Sequence, residues 1–316
     1  MAKEKSKKEC AIVMYHYVRN SAGSEYPGIK GLEIEKFSGQ LDYIVKNHKI
    51  IGLEDYVKFL NGEGDIPDRS CVLTFDDGFL DHYANVFPIL KKKKIIACFF
   101  PITQPLTEFV IPAVHQTHFL LAKLGSKKFA EEFNHLLKER FSDIAEKFMA
   151  DGKFLRQEKC FWDKEDILAG NLKYNISLMP KKEREEVLKE IFGRHFEDTE
   201  NFCRKLYMNF EQMKEMARAG MLFGGHTHSH QKLAEMEKDG QKKEISKSKK
   251  IMEEGLGSEI KFFSYPYGSY NNKTIEVLKN ENFFCAITTD FDINKGMQEN
   301  LFALKRLDTN HVFLKL

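Results

Sequence analysis

The sequence predicts an α/β fold in which parallel strands alternate with helices. Short apolar runs, typical of buried strands, alternate with segments whose apolar residues recur every three or four positions, as on one face of a helix. Clusters of polar residues directly follow several of these runs, and parallel α/β folds place their active sites at that end of their strands. Because strand–helix–strand repeats build parallel sheets with right-handed crossovers, we expect one sheet with a site along one edge.

The first hundred residues contain three strand-like runs and three helix-like segments. Helical spacing is clearest where Ile34, Phe37 and Leu41 fall on one face. The last helix-like segment ends in lysines, whose charge is favourable at a helix C-terminus. The predicted strands are Cys10–Tyr15, Cys71–Phe75 and Ile95–Ile102, and the predicted helices are 34–47, Leu53–Leu60 and 82–94.

Residues 108–215 change the pattern and predict helices almost throughout. They are rich in Phe, Leu, Lys and Glu with helical periodicity, and they contain few strand signals. After them the alternation of strands and helices resumes. The later predicted strands are Met221–Phe223, Ile260–Phe263 and Cys285–Thr288, and the later predicted helices are Lys242–Glu254 and Thr274–Asn280.

Composition limits the classes of partner and compartment. The 316 residues are 42% hydrophobic, enough for a sizeable core, and the formal net charge of +2 argues against nucleic acid as a partner. The charged N-terminus lacks a signal-peptide core and no run reaches the length of a membrane span, so we expect a cytoplasmic protein. Scattered cysteines without metal-type spacing predict buried free thiols in a reducing compartment. These cysteines are Cys10, Cys71, Cys98, Cys160, Cys203 and Cys285.

Two clusters far apart in the sequence predict a metal site. Asp76 and Asp77 end one strand-like run, and His226 and His230 follow another after two glycines. One carboxylate and two imidazoles make a three-ligand site with an open position, and the spare carboxylate can act as a base on water activated by the ion. This ligand set suits Zn²⁺ and also Co²⁺, Ni²⁺ or Fe²⁺. The combination predicts metal-assisted hydrolysis.

The four-residue spacing of the two histidines predicts how they meet. Residues four apart on a helical turn share a face, so two imidazoles can converge on one ion. His228 lies between them, and we expect its ring to point elsewhere. Taken alone, Asp-Asp-Gly is an ordinary turn after a strand, and a histidine-rich segment is an exposed loop. Their occurrence together favours the metal site.

Three motifs in order resemble those of a known family. Thr74–Gly78, His226–His230 and Ser264–Gly268 are similar to the first three motifs of the polysaccharide deacetylases, the NodB-homology enzymes or carbohydrate esterase family 4. The resemblance covers residues 10–104 and 212–310. It implies an α/β fold of the family's type, a distorted (β/α)7 barrel with seven strands.

The resemblance also implies the domain organisation. Compact members of the family have a much shorter span between the first and second motifs than this chain has. We therefore expect a single catalytic domain over 10–316 that contains a large helical insertion at 108–215. The insertion could serve as a lid or as a surface for a partner, and its role and the oligomeric state stay open.

Roles for the motif residues follow from the family pattern. The first aspartate of the pair, Asp76, is implied to be the general base, and the second, Asp77, a metal ligand. The backbone N–H of Tyr267 is implied to help hold the oxyanion. Ser264 stands where many members carry an arginine that orients the base. A subset that acts on poly-N-acetylglucosamine has a similar Tyr-Pro-Tyr-Gly form, and this chain is closest to that subset in its motifs.

The general acid and the orienting pair have to be sought elsewhere in the chain. In the poly-N-acetylglucosamine subset a histidine in an N-terminal Tyr-His motif takes the acid role, and His16 resembles it. His311 is the other candidate, late in the chain. Arg306 and Asp308 are candidates to replace the missing orienting arginine and its aspartate partner, the alternative being a surface ion pair.

The expected function is removal of an N-acetyl group from an amino sugar of a bacterial cell-surface glycan or its precursor. The same site could instead remove a formyl group, or hydrolyse another C–N amide, on a lipid-linked or nucleotide-linked sugar. A third interpretation is a catalytically silent carbohydrate-binding module. The four intact residues of the predicted site argue against that third interpretation, since a silent relative tends to lose one of them.

Overall fold

The computed structural model describes residues 8–153, 166–297 and 299–316, and the chain falls into two compact units. The first unit contains the residues up to 20, 31–108 and 204–316, and it holds all the described strands. The second contains 21–30 and 109–203. Across the described ranges, no helix has a stretch long and apolar enough to cross a membrane.

The first unit is built on parallel strands that form a nearly closed barrel. The strands are β1 (Glu9–Tyr15), β2 (Lys49–Ile50), β3 (Arg69–Asp77), β4 (Cys98–Pro101), β5 (Leu222–Phe223), β6 (Phe262–Ser264), β7 (Cys285–Phe291), β8 (Asn294–Lys295) and β9 (Leu304–Asp308). Seven of them follow the order β5-β4-β3-β1-β9-β7-β6, and all six neighbouring pairs are parallel. A bridge from Gly225, just after β5, to Phe263 in β6 joins the two ends of that order. The expected (β/α)7 barrel is therefore confirmed.

The helices alternate with these strands except in the middle of the chain, where they follow one another. They are α1 (Ile34–Asn47), α2 (Leu53–Leu60), α3 (Phe87–Lys93), α4 (Gln104–Thr107), α5 (Ala113–Arg140), α6 (Ser142–Phe148), α7 (Ile167–Leu178), α8 (Lys181–His195), α9 (Thr199–Leu206), α10 (Phe210–Arg218), α11 (Lys238–Leu256), α12 (Asn272–Asn280) and α13 (Val312–Lys315). Local sequence sets several of their ends. Asn209 and Asn271 begin α10 and α12 with reciprocal side-chain caps, and Gly257 ends α11 in the left-handed conformation.

Strand periodicity explains how a polar layer comes to lie inside the barrel. Alternate residues of a strand face opposite sides of the sheet, and the buried apolar residues therefore form two separate clusters. One cluster contains Val72, Phe262 and Leu304, while Leu73, Phe75 and Phe99 belong to the other, which packs against the helices. Residues two or four positions after Val72, Phe262 and Leu304 lie on the same side of the sheet as these three. These residues are Thr74, Asp76, Ser264 and Arg306, and all four are buried.

The predicted elements are found with small shifts, and the differences matter for the site. β3 continues through Asp77, so both aspartates belong to the strand rather than to a turn after it. The predicted helix 82–94 begins as a π-helical turn, His82–Val86, before α3. Strand β9 was not predicted at all. The cysteines are free and buried as predicted, except that Cys160 lies outside the described residues.

Residues 109–203 of the second unit are mainly helical where they are described. The unit contains α5 to α8 and the start of α9, and its aromatic side chains pack around Tyr26, with Phe119, Phe196 and Phe202 at ring-centroid distances of 5.2 to 5.8 Å. Gly125, with φ 73°, interrupts α5. The unit includes residues 21–30, which the sequence did not indicate. That this region is an insertion in a catalytic domain stays a prediction.

A glycine beside the site gives a stability prediction. A Cβ on Gly224 would lie 2.4 Å from Cε1 of Phe100 and 2.6 Å from the carbonyl oxygen of Phe262, which already accepts the N–H of Gly225. We expect Gly224→Ala to lower the free energy of unfolding by about 1–3 kcal/mol, measured by chemical denaturation. The control is Gly39→Ala in α1, where nothing lies within 4 Å and alanine should stabilise by up to about 1 kcal/mol. Equal stability of the two variants would contradict the prediction.

Candidate active site

Three predicted residues come together at the C-terminal end of the barrel strands. Oδ1 of Asp77 lies 3.5 Å from Nε2 of His226 and 3.4 Å from Nε2 of His230. The ligand atoms of all three lie within 4.8 Å of one another, and all three side chains are buried. Among the described residues this is the one group of three or more such side chains close enough to share an ion.

The backbone turns sharply on both sides of this cluster. Asp77 and Gly78 both have positive φ, 74° and 76°, and a Cβ on Gly78 would lie 2.5 Å from Cβ of Pro101. Only glycine fits there, which explains the Asp-Asp-Gly sequence at the end of β3. The turn leaves Asp76 on the inward face of the barrel and presents Asp77 to the two histidines.

The predicted helical turn between the histidines is wrong. Residues 226–230 form an irregular loop in which Thr227 has φ 62° and His230 has φ 56°. These left-handed residues, rather than a shared helix face, bring the rings together, with 5.0 Å between ring centroids. The ring of His228 turns to Thr103 and Glu108, and it does not belong to the cluster.

One histidine is fixed in orientation by the next strand. Nδ1 of His226 donates a hydrogen bond of 2.7 Å to the carbonyl oxygen of Ser264, which leaves Nε2, on the side of Asp77, as the nitrogen that could bind an ion. Burial lowers the pKa of His226, but the nearby carboxylates of Asp76 and Asp77 outweigh burial and hold this pKa above its ordinary value. Two buried carboxylates side by side therefore attract positive charge to this point.

Asp76 is held by two side chains that reach it from other strands. Its Oδ2 forms an ion pair with Nη2 of Arg306 at 2.8 Å and accepts a hydrogen bond from the hydroxyl of Ser264 at 3.1 Å. Its Oδ1 is buried and, among the described residues, has no hydrogen-bond partner. Burial raises the pKa of Asp76, but the charges of Arg306 and His226 outweigh it and keep this pKa below its ordinary value.

Arg306, one of the two residues predicted as an orienting pair, reaches Asp76. It comes from β9, is fully buried, and also donates from Nε to the carbonyl oxygen of Thr288 at 2.6 Å. The other predicted member of the pair, Asp308, instead accepts hydrogen bonds from Asn310 and none from Arg306 within the described ranges. The structure thus brings one of the two candidates to Asp76.

His16 lies on the segment that follows β1 and is half-buried. It is the last of the groups whose electrostatic interactions lower the pKa of Asp76. Nε2 of His82 donates to the carbonyl oxygen of His16 at 2.9 Å, and burial lowers the pKa of His82 to about 4, so this donor is neutral. The alternative candidate, His311, packs on the ring of Phe291 at 4.6 Å.

Tyr267 lies at the edge of the cluster. It is the middle residue of a single 3₁₀ turn, Pro266–Gly268, and has φ 58°. Its ring lies 4.8 Å from that of His230 and is 46% exposed. Tyr267 thus places an exposed aromatic side chain beside the buried cluster.

The cluster fits a divalent transition metal. Zn²⁺ bonds of about 2.0–2.1 Å in a tetrahedral arrangement place neighbouring ligand atoms about 3.3–3.4 Å apart. The two distances from Oδ1 of Asp77, 3.5 and 3.4 Å, match that spacing. Asp77, His226 and His230 could therefore hold the ion and leave a fourth position open to water or substrate.

Sequence reasoning missed two residues of the site. It noted Ser264 only because many family members have an arginine at that position, and it gave no role to Thr74. The hydroxyl of Thr74 donates to the carbonyl oxygen of Val13 at 2.7 Å and lies 3.5 Å from Nη1 of Arg306. The two-residue period of a strand could have indicated both side chains. Ser264 lies two residues after the inward-facing Phe262, and Thr74 lies two residues after Val72.

Comparison with known proteins gives one family. The polysaccharide deacetylase family model matches residues 63–140 and 182–284, together more than half of the chain. The Bacillus subtilis protein YxkH, which has a provisional name as a polysaccharide deacetylase, is 31% identical over 103 residues, 33% of this chain and 37% of that protein. The match thus spans little more than a third of the relative's length.

Solved structures share the fold over nearly the whole chain. The deacetylase PplD of Streptococcus pyogenes, solved in complex with acetate, is similar with a TM-score of 0.58 and 19% identity, covering 96% of this chain and 92% of that one. IcaB of Ammonifex degensii is similar with a TM-score of 0.57 and 19% identity, covering 95% and 91%. At these identities the likeness supports the fold.

Proposed function

The chain belongs to the polysaccharide deacetylase family, and on that premise we propose that it is a metal-dependent hydrolase. Its proposed reaction removes the N-acetyl group from an amino sugar of a bacterial cell-surface glycan or its precursor. The observation that carries the proposal is the buried cluster of Asp77, His226 and His230 with the oriented carboxylate of Asp76 beside it. The acetate bound in the PplD structure is the product expected here.

Asp76 is the proposed general base. Arg306 and Ser264 occupy its Oδ2, and the charge of Arg306 keeps the carboxylate ionised, so the buried Oδ1 is the oxygen left to accept a proton from the attacking water. A divalent ion, when bound, polarises the acyl carbonyl and makes water more acidic. Asp77, His226 and His230 would hold that ion, with Zn²⁺ the first choice for a donor set of two imidazoles and a carboxylate.

The remaining steps use Tyr267 and His16. The new bond joins the water oxygen to the acyl carbon, and the backbone N–H of Tyr267 is proposed to stabilise the negative charge that develops on the acyl oxygen. His16 then gives a proton to the sugar nitrogen as the C–N bond breaks. The products are acetate and the free amino sugar, and His16 and Asp76 return to their starting protonation by exchange with water.

A reducing, cytoplasmic compartment is part of the proposal. The five described cysteines are all free and buried, which supports a protein that does not depend on disulfides. A cytoplasmic enzyme would act on a precursor of the glycan rather than on the finished polymer.

The test is a screen for acyl release by the whole chain loaded with Zn²⁺. N-acetylglucosamine oligomers, their N-formyl counterparts and a nucleotide-linked N-acetylglucosamine are supplied in parallel, and acetate and formate are measured. Acetate release supports the proposal, and the best substrate identifies the sugar class. Release of formate alone would replace the proposed deacetylase with a deformylase. If the metal-loaded chain released neither acetate nor formate from any substrate, the silent binding module would be favoured.

The Arg306–Asp76 pair gives a pH prediction. Arg306 lowers the pKa of Asp76, so the base stays ionised and active down to low pH. In Arg306→Met that pKa rises, and we expect the acidic limb of the kcat–pH profile to move to higher pH. Arg306→Lys keeps the positive charge and is the matched control, with a smaller shift. An acidic limb at the same pH in all three proteins would contradict this role.

A further inference from the structure

We propose that Glu244, in the first half of α11, is a positioning residue that fixes the loop 226–230 in the shape in which His226 and His230 converge. The inference rests on the proposed metal site. It adds a residue that lies outside the three sequence motifs and that has no direct contact with the proposed ion. Glu244 would act on the ion only through the loop.

The carboxylate of Glu244 accepts three hydrogen bonds from two consecutive loop residues. Its Oε2 accepts from the backbone N–H groups of His228 at 3.0 Å and Ser229 at 2.7 Å. Its Oε1 accepts from the hydroxyl of Ser229 at 2.6 Å. Hydrogen bonds to an ionised acceptor are shorter and stronger than neutral ones, so this one side chain binds the middle of the loop firmly.

The loop needs such support because its backbone is unfavourable. Thr227 and His230 both have left-handed φ values, 62° and 56°, which residues with a Cβ atom rarely adopt. These two residues flank the pair that Glu244 binds. Inside the loop, the N–H of His230 donates to the hydroxyl of Thr227 at 3.0 Å. Unfavourable backbone of this kind persists where surrounding contacts determine it, and Glu244 supplies three of those contacts.

The same helix supports the other side of the loop. Lys247, one turn after Glu244, lies 2.7 Å from Oε1 of Glu108, and the same oxygen accepts from Nε2 of His228 at 3.0 Å. Nδ1 of His228 in turn accepts from the hydroxyl of Thr103 at 3.0 Å. Hydrogen bonds from Lys247 and Gln104 lower the pKa of Glu108 to about 2, so it remains an ionised acceptor.

These contacts explain why a histidine stands between the two ligands. The ring of His228 anchors the loop to Glu108 and Thr103, while its backbone N–H is bound by Glu244. The loop is thereby held on two sides before any ion binds. The affinity for metal should therefore depend on Glu244, although the carboxylate does not touch the ligand atoms.

The experiment compares metal binding by the whole chain and by Glu244→Gln. A glutamine keeps the size of the side chain but has a single acceptor oxygen, so it cannot accept all three donors. Zn²⁺ affinity is measured by competition with a chromophoric chelator, and the visible absorption of the Co²⁺-loaded protein reports ligand geometry. We expect affinity to fall about 10–100-fold and the Co²⁺ spectrum to change. The matched control is Glu254→Gln, on an exposed position of the same helix, with wild-type affinity and spectrum.

The outcomes separate this inference from the proposed function. Wild-type affinity and an unchanged Co²⁺ spectrum in Glu244→Gln would overturn the positioning role and leave the metal site standing. A wild-type chain that binds neither Zn²⁺ nor Co²⁺ would overturn the metal site itself, and the inference with it. If Glu244→Gln does not fold, the positioning role is tested with Glu244→Asp by the same criteria. Aspartate keeps the charge but withdraws the carboxylate oxygens by one methylene group.

Discussion

Replacing Asp76 with asparagine is expected to lower kcat for acetate release by about 10²–10⁴-fold, the usual contribution of a general base. The amide cannot accept the proton of the attacking water. The proposed ligands Asp77, His226 and His230 are unchanged, so the variant should keep its metal. Steady-state kinetics with the best substrate, together with metal content, measure both effects.

The Asp76 variant needs a check on folding, because the change leaves Arg306 buried without its carboxylate. Breaking a buried pair by removing one partner costs about 3–5 kcal/mol. Thermal unfolding should therefore occur at a lower temperature, and kinetics are measured well below it. Asp42→Asn, the same chemical change on an exposed position of α1, is the control and should keep wild-type kinetics. Undiminished kcat in Asp76→Asn would contradict its role as base.

Replacing His226 with alanine is expected to abolish stoichiometric metal binding. The change removes one of the three proposed ligands, so it should cost more affinity than the loss of about 10–100-fold typical of residues that only support ligands. Elemental mass spectrometry of the purified protein should find about one equivalent of a transition metal in the wild type and little in the variant. Acetate release should fall with metal content.

The control for the ligand variant is His135→Ala. His135 lies on α5 with its side chain 75% exposed, so its loss should change neither metal content nor activity. A His226→Ala protein that retains a full equivalent of metal would show that the ion binds elsewhere. Metal loss in both variants would indicate nonspecific binding by surface histidines.

The barrel was predictable because its strands are mostly unbroken apolar runs. β1 and β4 are buried on both faces, and such strands are recognised from composition alone. β9 was not predicted because Lys305, Arg306 and Asp308 interrupt its apolar residues. Arg306 faces inward, where a charged residue is stable only because Asp76 pairs with it. That partner lies more than two hundred residues away, and no local pattern reveals it.

The ligands of the candidate site were predictable by residue type, whereas the way they converge was not. The spacing of His226 and His230 suggested a helical turn, but the loop 226–230 contains two left-handed residues, Thr227 and His230. Its conformation depends on Glu244 and on Thr103, which come from other elements of the barrel. Local propensity cannot report such contacts, because tertiary packing overrides it.

The most direct test of the central claim is acetate release from an N-acetylglucosamine oligomer by the whole chain in three states: as purified, after removal of metal by chelation, and after return of one equivalent of Zn²⁺. We predict that activity is lost on chelation and restored by Zn²⁺, because Asp77, His226 and His230 would hold an ion that supplies polarisation of the acyl group. Equal rates of acetate release in all three states would contradict the account.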